Sequence, residues 1–146
     1  MTDFNFFTTA SSVIERWGSS LAGKTVVITG TSTGTLGGET AIALARASSI
    51  HKDEENAAPA PTTLILLSRN QAKVHPVLTS INQTSPTTKT HFIPIDLSDF
   101  DSVRAAADSI SQLTDKIDIL INNAGVMALP WGVNKSGIVN YPCIIK

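Results

Sequence analysis

Apolar residues in this chain occur both as short continuous runs and as longer stretches in which they recur at every third or fourth position. Continuous runs are typical of strands buried on both faces of a parallel sheet, and the recurring pattern is typical of amphipathic helices. Four runs lie at 25–29, 62–68, 91–97 and 117–121, and helical patterns separate them. This βαβαβαβ order predicts the α/β fold class, with a doubly wound parallel sheet, helices on both faces and right-handed crossovers.

Each of the three helical stretches carries one apolar face. The apolar positions are Leu36, Ala41, Leu44 and Ala45 in the first stretch, Val74, Val77, Leu78 and Ile81 in the second, and Phe100, Val103, Ala107 and Ile110 in the third. Pro76 either opens the second helix or kinks it, and Pro86 ends that unit. Ser98 and Asp101 fit a capping box at the start of the third helix.

Residues 1–20 are predicted to form an N-terminal extension that contains a short docking helix. Ser12 and Glu15 have the spacing of a capping box, and Gly18 is expected to end the helix. The helix face and the aromatic residues before it are expected to pack onto the domain, with binding of a partner as the alternative for the aromatic residues. These residues are Val13, Ile14 and Trp17 on the helix, and Phe4, Phe6 and Phe7 before it.

We predict one domain at residues 21–126, with a surface insertion inside it and a tail after it. Residues 48–61 mix charge, alanine and two prolines, a composition that predicts a surface insertion. Residues 127–146 contain prolines and glycines that interrupt any long element, so they predict an irregular tail.

The composition excludes several classes of function. With 11 basic and 12 acidic residues, the net charge is −1, and no basic surface for nucleic acid or an acidic membrane is indicated. The single Cys143 excludes an internal disulfide and a cysteine-rich metal site, and the 3 histidines lack ligand spacing. The sequence has no secretory signal and no apolar stretch of membrane-spanning length, so we expect a cytoplasmic protein without a metal.

The candidate chemistry is concentrated in residues 24–46, KTVVITGTSTGTLGGETAIALAR, where the first strand leads through glycines into a helix. We refer to residues 30–38 as the glycine turn. Glycine lets a backbone approach phosphate oxygens, and a helix N-terminus offers unpaired N–H groups and the positive end of the dipole. The spacing GxxxGxxG differs from GxGxxG, and the turn lacks the lysine of a P-loop. Taken alone, the turn fits a nucleotide phosphate site and a strand-to-helix turn that merely needs glycine equally well.

Two further motifs follow the third and fourth strands, namely Asp96 and the NNAG sequence at 122–125. With the Thr-Gly pair that opens the glycine turn, they make the sequence resemble the short-chain dehydrogenase/reductase family over residues 21–127. The resemblance is greatest to fungal members whose turn is one residue longer than the usual TGxxxGxG. It implies a Rossmann-type fold and an oxidoreductase that transfers hydride between the nicotinamide of NAD(P)(H) and a carbonyl or alcohol substrate.

The resemblance implies that the glycine turn holds the pyrophosphate of the cofactor. Ser32 and Thr33 add backbone or hydroxyl donors there, and Leu36 either lies beside the cofactor or simply packs against the protein. The residues expected to line the pyrophosphate are Gly30, Gly34 and Gly37.

The same resemblance assigns cofactor-binding residues after the third and fourth strands. Asp96, with Leu97 beside it, is expected to accept a hydrogen bond from the adenine amino group, because Ser98 fits the role of helix cap better. Asn122 is expected to be structural. The residues expected to pass under the adenosine ribose and to stabilise the central sheet are Asn123, Ala124 and Gly125.

Arg69 follows the second strand, where NAD-binding proteins place an acidic residue on the ribose hydroxyls and NADP-binding proteins a basic residue near the 2′-phosphate. Neither Ser68 nor Asn70 supplies an acid. Arginine is also unfavourable beside the positive end of a helix dipole, so a phosphate partner would explain its position, with a solvated surface arginine as the alternative. We therefore expect NADP(H) rather than NAD(H) as the cofactor.

The residues that perform the chemistry in this family are a serine and a tyrosine with a lysine four positions later, and the chain does not match them. Tyr141 and Lys146 are five apart, Pro142 disfavours a helix through them, and Ser136 is too close to Tyr141. We assign no catalytic residue. The chain is expected to be the cofactor-binding half of a truncated family member, with about four strands and three to four helices, inactive alone.

A non-catalytic dinucleotide-binding or interaction module is the alternative function. A methyltransferase-like use of the glycine turn is disfavoured because that ligand also needs an acid at the end of the second strand. A sheet that ends at the fourth strand would leave an apolar edge uncovered, so we expect marginal stability or self-association through that edge.

Overall fold

A parallel sheet of four strands lies at the centre of the computed structural model, which describes residues 4–21, 23–50, 63–126, 132–134, 137 and 139–140. The strand order is β3-β2-β1-β4, and every neighbouring pair is parallel. The predicted doubly wound, Rossmann-like α/β sheet is therefore confirmed. The strands are β1 (Thr25–Thr29), β2 (Thr63–Ser68), β3 (Lys89–Pro94) and β4 (Ile119–Ile121).

Four α-helices precede or connect these strands. They are α1 (Ala10–Trp17), α2 (Leu36–Ile50), α3 (Gln71–Thr84) and α4 (Phe100–Leu113), and a 3-10 helix at Gly18–Leu21 leads from α1 toward β1. Within the predicted irregular tail, β5 (Gly132–Val133) and β6 (Val139–Asn140) form a short antiparallel pair.

Each face of the sheet packs against different helices, because successive side chains of a strand point to opposite faces. Helices α2 and α3 cover one face, and α4 covers the other, as the sequence predicts. The first core consists of Val26, Ile28, Ala41, Ala45, Leu64, Leu66, Val74, Val77 and Ile81. The second core consists of Val27, Ile65, Leu67, Ile93, Ile95 and Ala106.

Several element boundaries differ from the prediction. Strand β3 begins and ends earlier than 91–97 because it pairs with the full length of β2, from Thr63 opposite Lys89 to Ser68 opposite Pro94. Strand β4 is confined to the last three residues of the predicted 117–121. Helix α2 continues to Ile50, through the first three residues of the predicted insertion, and residues 51–61 lie outside the described part of the chain.

The start of α4 corrects the predicted cap. Asp99 is the N-cap, because its side chain accepts hydrogen bonds from the backbone N–H groups of Asp101 and Ser102, which satisfies two of the free donors of the first turn. Ser98 is held instead by Asp96. In the apolar stripe of α4, Val103 and Ile110 pack against the core as predicted, but Ala106 is buried in place of Ala107, which is exposed.

Helix α3 begins at Gln71, ahead of Pro76, so Pro76 does not open it. The cap is Asn70, whose side-chain oxygen lies 3.4 Å from the backbone nitrogen of Lys73. The helix ends at Thr84, before Pro86, as predicted.

The N-terminal extension forms its helix but with a different cap and a different aromatic arrangement. Thr9, and not Ser12, caps α1, since its side-chain oxygen accepts the N–H of Ser12 at 3.2 Å, and α1 ends at Gly18 as predicted. Phe6 and Phe7 are 95% and 84% exposed, so their predicted packing onto the domain is wrong. The other two aromatic residues of this segment, Phe4 and Trp17, contact each other edge to face, with ring centroids 4.9 Å apart.

At the amino ends of β1 and β4, Asp118 joins the two strands. Its carboxylate accepts the backbone N–H of Thr25 at 2.9 Å, and its own N–H donates to the Thr25 carbonyl at 3.0 Å. The Nζ atoms of Lys116 and Lys24 lie 2.6 and 3.7 Å from the same carboxylate. Asp118 therefore fixes the register of β4 against β1 at the end of the sheet opposite the glycine turn.

Within the described residues, β4 pairs only with β1 and forms one edge of the sheet. The edge is apolar, with Leu120 55% and Ile117 43% exposed. Self-association through it stays a prediction. None of the described helices has the length and apolar character needed to cross a membrane.

Candidate functional site

The motifs of the sequence meet at the carboxyl edge of the sheet. β1 lies between β2 and β4. β2 and β3 follow one another on one side of β1, and β4 lies on its other side, so the strand order reverses at β1. Open α/β sheets bind ligands outside the carboxyl ends of their strands at such a reversal. The glycine turn follows β1, Arg69 follows β2, Asp96 follows β3 and the NNAG sequence follows β4.

Two glycines of the turn have backbone angles that favour glycine. Gly30 has a φ of 74° and Gly34 a φ of 73°, in the left-handed region. At Gly30 a Cβ atom would also lie 2.9 Å from the Cα of Ala124, so the NNAG segment lies directly against the start of the turn. Beside Gly34, by contrast, no heavy atom of the described residues other than its two chain neighbours lies within 4 Å of the Cβ position, which leaves open space at this part of the turn.

Gly37 and Gly38 serve close packing at the start of α2. A Cβ on Gly37 would collide with the side chain of Asn123 and would lie 2.6 Å from the carbonyl oxygen of Gly30. A Cβ on Gly38 would lie 2.6 Å from the carbonyl oxygen of Ser32. Gly37 is buried, so its own role is to let α2 approach the turn and Asn123.

The first turn of α2, which follows Gly34 closely in the chain, has two backbone N–H groups without an acceptor among the described residues. Thr35 precedes the helix, and its side-chain oxygen accepts the N–H of Gly38 at 3.3 Å. The N–H groups of Leu36 and Gly37 have no acceptor among the described residues. The Leu36 side chain is 82% exposed, so it does not pack against the protein. Two free N–H groups at the positive end of a helix dipole form a site suited to an anion.

Ser32 and Thr33 connect the glycine turn to the second strand and its helix. The Ser32 and Ser68 hydroxyl oxygens are 3.1 Å apart and share a hydrogen bond. The N–H of Thr33 donates to the carbonyl of Lys73 at 2.8 Å, so this backbone donor is used within the protein. Of the two donor groups of Thr33, only the hydroxyl can therefore donate a hydrogen bond to a ligand.

A shallow depression lies beside the ends of β2 and β3, lined by Arg69, Pro94, Ile95, Asp96 and Ser102. Arg69 is exposed at its rim. Leu97, which adjoins Asp96, is 50% exposed. The structure thus brings Arg69 and Asp96 to one concave surface, as the sequence-based interpretation requires.

Asp96 has more protein partners than the sequence suggests. One of its carboxylate oxygens accepts both the N–H and the hydroxyl of Ser98, at 3.0 and 2.6 Å. Its own N–H donates to the Ser102 hydroxyl at 2.9 Å. The argument that Ser98 caps α4 and so leaves Asp96 uninvolved is therefore wrong, because the two side chains bond each other.

The NNAG segment is bonded to β1 and to the glycine turn. The side-chain nitrogen of Asn123 donates to the carbonyls of Thr29 and Gly30, and the N–H of Ala124 donates to the Thr29 hydroxyl at 2.9 Å. Gly125 is exposed with open space at its Cβ position. Asn123 and Ala124 therefore join the end of β4 to the end of β1 and to the start of the glycine turn.

Four hydroxyl residues contribute to this edge without having been singled out in the sequence. Their side chains bond the backbone or, for Ser68, the Ser32 hydroxyl, and the only signal in the sequence is their position in or next to a motif or, for Ser102, six residues after Asp96. They are Thr29, Thr35, Ser68 and Ser102. Ser136, Tyr141 and Lys146, which the sequence rejects as a catalytic set, lie outside the described residues.

Comparison with known proteins agrees with this geometry. A family model described as short chain dehydrogenase matches residues 24–136, which is more than half of the chain. The chain belongs to the short-chain dehydrogenase family. The recognition from the glycine turn, Asp96 and NNAG is thereby confirmed.

Two curated relatives from this family are fungal. An uncharacterized oxidoreductase of Schizosaccharomyces pombe is 35% identical over 117 residues, covering 80% of this chain and 30% of that protein. The short-chain dehydrogenase/reductase drtF of Aspergillus calidoustus is 33% identical over 118 residues, covering 81% of this chain and 33% of that protein. The chain thus spans about a third of the length of the curated relatives it matches.

Among solved structures, a metagenomic short-chain oxidoreductase in complex with NADP is similar to this chain. The TM-score is 0.55 at 27% sequence identity, and the match covers 74% of this chain and 42% of that one. The four-stranded sheet therefore corresponds to part of a larger fold in that short-chain dehydrogenase.

Proposed function

We propose that the chain is the dinucleotide-binding part of an NAD(P)(H)-dependent oxidoreductase that transfers hydride between nicotinamide and a carbonyl or alcohol substrate. The observation that carries the proposal is the pair of N–H groups of Leu36 and Gly37, which have no acceptor among the described residues and lie at the start of α2, just after the open position at Gly34. Such donors suit the pyrophosphate of a dinucleotide. When bound, the nicotinamide supplies the hydride chemistry, and this chain supplies binding and orientation.

In this proposal the glycine turn holds the pyrophosphate. Gly34 allows the close approach, the exposed Leu36 covers the cofactor, and the hydroxyl of Thr33 adds a donor. Gly30 and Ser32 shape the turn through their contacts within the protein, and Gly37 both lets α2 approach the turn and offers its N–H group.

We propose that the adenosine lies across the ends of β2, β3 and β4. Asp96, with Leu97 beside it, receives the adenine. The adenine amino group is assigned to the Asp96 carboxylate, which also accepts hydrogen bonds from Ser98. Asn123, Ala124 and Gly125 form the wall beneath the adenosine ribose, with Gly125 at its exposed end.

We further propose that NADP(H) is preferred over NAD(H). Arg69 is exposed at the rim of the depression that contains Asp96, and its neighbours Ser68 and Asn70 carry no negative charge. Asn70 also uses its side chain to cap α3, so it does not replace the acid that holds ribose hydroxyls in NAD-binding proteins. The NADP complex of the metagenomic relative supports this preference.

Isothermal titration of the purified chain with NADPH and with NADH tests the proposal. Arg69→Ala is expected to weaken NADPH roughly tenfold to a hundredfold, because a charge-assisted contact to the 2′-phosphate is lost, and to change NADH by less than about twofold. Arg104→Ala is the matched control, because Arg104 is an exposed arginine whose partner is Asp101 on the same helix, α4. Equal NADPH affinity for wild type and Arg69→Ala would refute the preference.

Gly34→Val tests the site itself. A β-branched side chain at a φ of 73° strains the turn and fills the open space, so both NADPH and NADH should lose affinity at least about tenfold. Gly137→Val is the matched control, because Gly137 has a φ of 77° and equally open surroundings but lies in the β5–β6 segment. The proposal fails if wild type binds neither nucleotide, or if Gly34→Val binds both as wild type does.

A further inference from the structure

Thr35 lies within the glycine turn, between Gly34 and Leu36, the first residue of α2. We propose that Thr35 is a positioning residue, which orients the glycine turn for the diphosphate of the cofactor without touching the cofactor. The proposal rests on the proposed dinucleotide site and adds to it a residue that controls affinity through the shape of the turn.

The Thr35 hydroxyl lies among three backbone groups of the turn. Its oxygen is 2.7 Å from the carbonyl oxygen of Ser32, 3.0 Å from that of Gly30 and 3.3 Å from the nitrogen of Gly38. A hydroxyl has one hydrogen and two acceptor lone pairs. It can therefore share its one hydrogen between the two carbonyls, in a three-centre hydrogen bond, while it accepts from the Gly38 N–H.

These contacts fix the direction of the carbonyl groups. The carbonyl oxygens of Gly30 and Ser32 face the first turn of α2, because they lie 2.6 Å from the Cβ positions of Gly37 and Gly38. A carbonyl oxygen that turned toward the open space would repel a diphosphate there. By sharing its hydrogen between the two oxygens, Thr35 keeps them on the protein side of the turn, and Asn123 adds a second hydrogen bond to the Gly30 carbonyl.

The cap also selects which donors remain for a ligand. The Thr35 side chain takes the N–H of Gly38, and its carbonyl accepts the N–H of Glu39 at 3.0 Å. The N–H groups of Leu36 and Gly37 stay without a protein acceptor among the described residues. Thr35 thus satisfies the N–H groups of Gly38 and Glu39 and leaves those of Leu36 and Gly37 for a ligand.

The experiment compares Thr35→Val and Thr35→Ser in the full 146-residue chain. Valine keeps the branched shape but removes the hydroxyl, and serine keeps the hydroxyl. Two probes are titrated into each protein: NADP⁺, and adenosine 2′-monophosphate, which has the adenine and the 2′-phosphate but no diphosphate. Thr79→Val is the matched control, since Thr79 is an exposed threonine whose hydroxyl donates to the carbonyl of His75 at 3.0 Å within α3.

We expect Thr35→Val to weaken NADP⁺ about fivefold to tenfold, the size of a lost cap, and to leave adenosine 2′-monophosphate unchanged. Thr35→Ser and Thr79→Val should bind both probes as wild type does. The proposal is overturned if Thr35→Val binds NADP⁺ normally, or if it loses both probes in equal proportion, which would indicate a general structural defect. A wild-type chain that binds neither probe would instead refute the dinucleotide site, and this proposal with it.

Discussion

The side-chain nitrogen of Asn123 lies 3.2 Å from the carbonyl oxygen of Gly30 and donates a hydrogen bond to it. The same nitrogen donates to the Thr29 carbonyl at 2.9 Å. A side-chain amide carries two N–H hydrogens, so both bonds can form together. Asn123, which follows β4, thus fixes the point at which β1 leads into the glycine turn.

Replacing this amide should destabilise the fold. Asn123→Asp keeps the shape but puts a carboxylate oxygen against two carbonyl oxygens, and the lost bonds should lower the free energy of unfolding by roughly 1–3 kcal/mol. Urea denaturation at neutral pH measures this. Asn122→Asp is the matched control, because Asn122 is exposed and should change stability by less than about 0.5 kcal/mol. Equal stabilities for the two variants would contradict the role of Asn123.

Gly37→Ala should also destabilise the protein, although alanine is the better helix former by about 1 kcal/mol. The new Cβ would lie 2.6 Å from the Gly30 carbonyl oxygen and would collide with the Asn123 side chain, so α2 must shift, at a cost of roughly 1–3 kcal/mol. Thermal denaturation should show a lower midpoint for Gly37→Ala. Gly125→Ala meets open space and should leave the midpoint unchanged. An increased midpoint for Gly37→Ala would show that the turn yields without cost.

The cap of α4 can be tested with neighbouring substitutions. Asp99→Ala removes the acceptor for the N–H groups of Asp101 and Ser102 and should cost about 1 kcal/mol of unfolding free energy. Ser98→Ala removes no contact with α4 that the structure describes, so it should cost clearly less. The assignment of Asp99 fails if Ser98→Ala is the more destabilising of the two in urea denaturation.

Asp118 should contribute to the acid sensitivity of the protein. The hydrogen bond from Lys116 and the backbone N–H of Thr25 hold the pKa of Asp118 below its ordinary value, and burial opposes them. A carboxyl whose pKa is lower in the folded state stabilises the protein above its unfolded pKa of roughly 3.9, and that stabilisation is lost as the pH falls through the folded pKa.

Unfolding free energies measured between neutral pH and about pH 3 test this assignment. Asp118→Asn should flatten the fall in stability at the acid end of that range, because the group no longer titrates. Lys116→Met should flatten it partly, because methionine has no donor and so removes the hydrogen bond that is the largest cause of the lowered pKa. An unchanged acid slope in both variants would exclude Asp118 as a source of acid sensitivity.

The sheet was predictable because its strands are continuous apolar runs. Val26, Val27 and Ile28 can be buried on both faces only in a covered parallel strand, and β1 spans the predicted residues. The site was predictable to the extent that glycines and motif residues follow strand ends, which bring Gly34, Arg69 and Asp96 to one edge.

What could not be predicted depends on local competition between neighbouring polar groups. Ser98 and Asp99 both suit a helix cap, and only the backbone angles at Asp99, with φ −125° and ψ 111°, decide between them. For the same reason, the sequence does not distinguish Thr35, whose hydroxyl contacts three backbone groups of the turn, from the other hydroxyl residues nearby. Phe6 and Phe7 show that apolar character alone does not determine burial.

The hydrogen bond from the Thr33 N–H to the Lys73 carbonyl has a consequence for motion. It joins the glycine turn to the first turn of α3, at 2.8 Å, so the two segments cannot separate without breaking it. The exchange of the Thr33 amide hydrogen with deuterium therefore reports directly on opening of the turn. A substitution that loosens α3 near Lys73 would speed this exchange and alter the shape of the glycine turn from a distance, through the backbone alone.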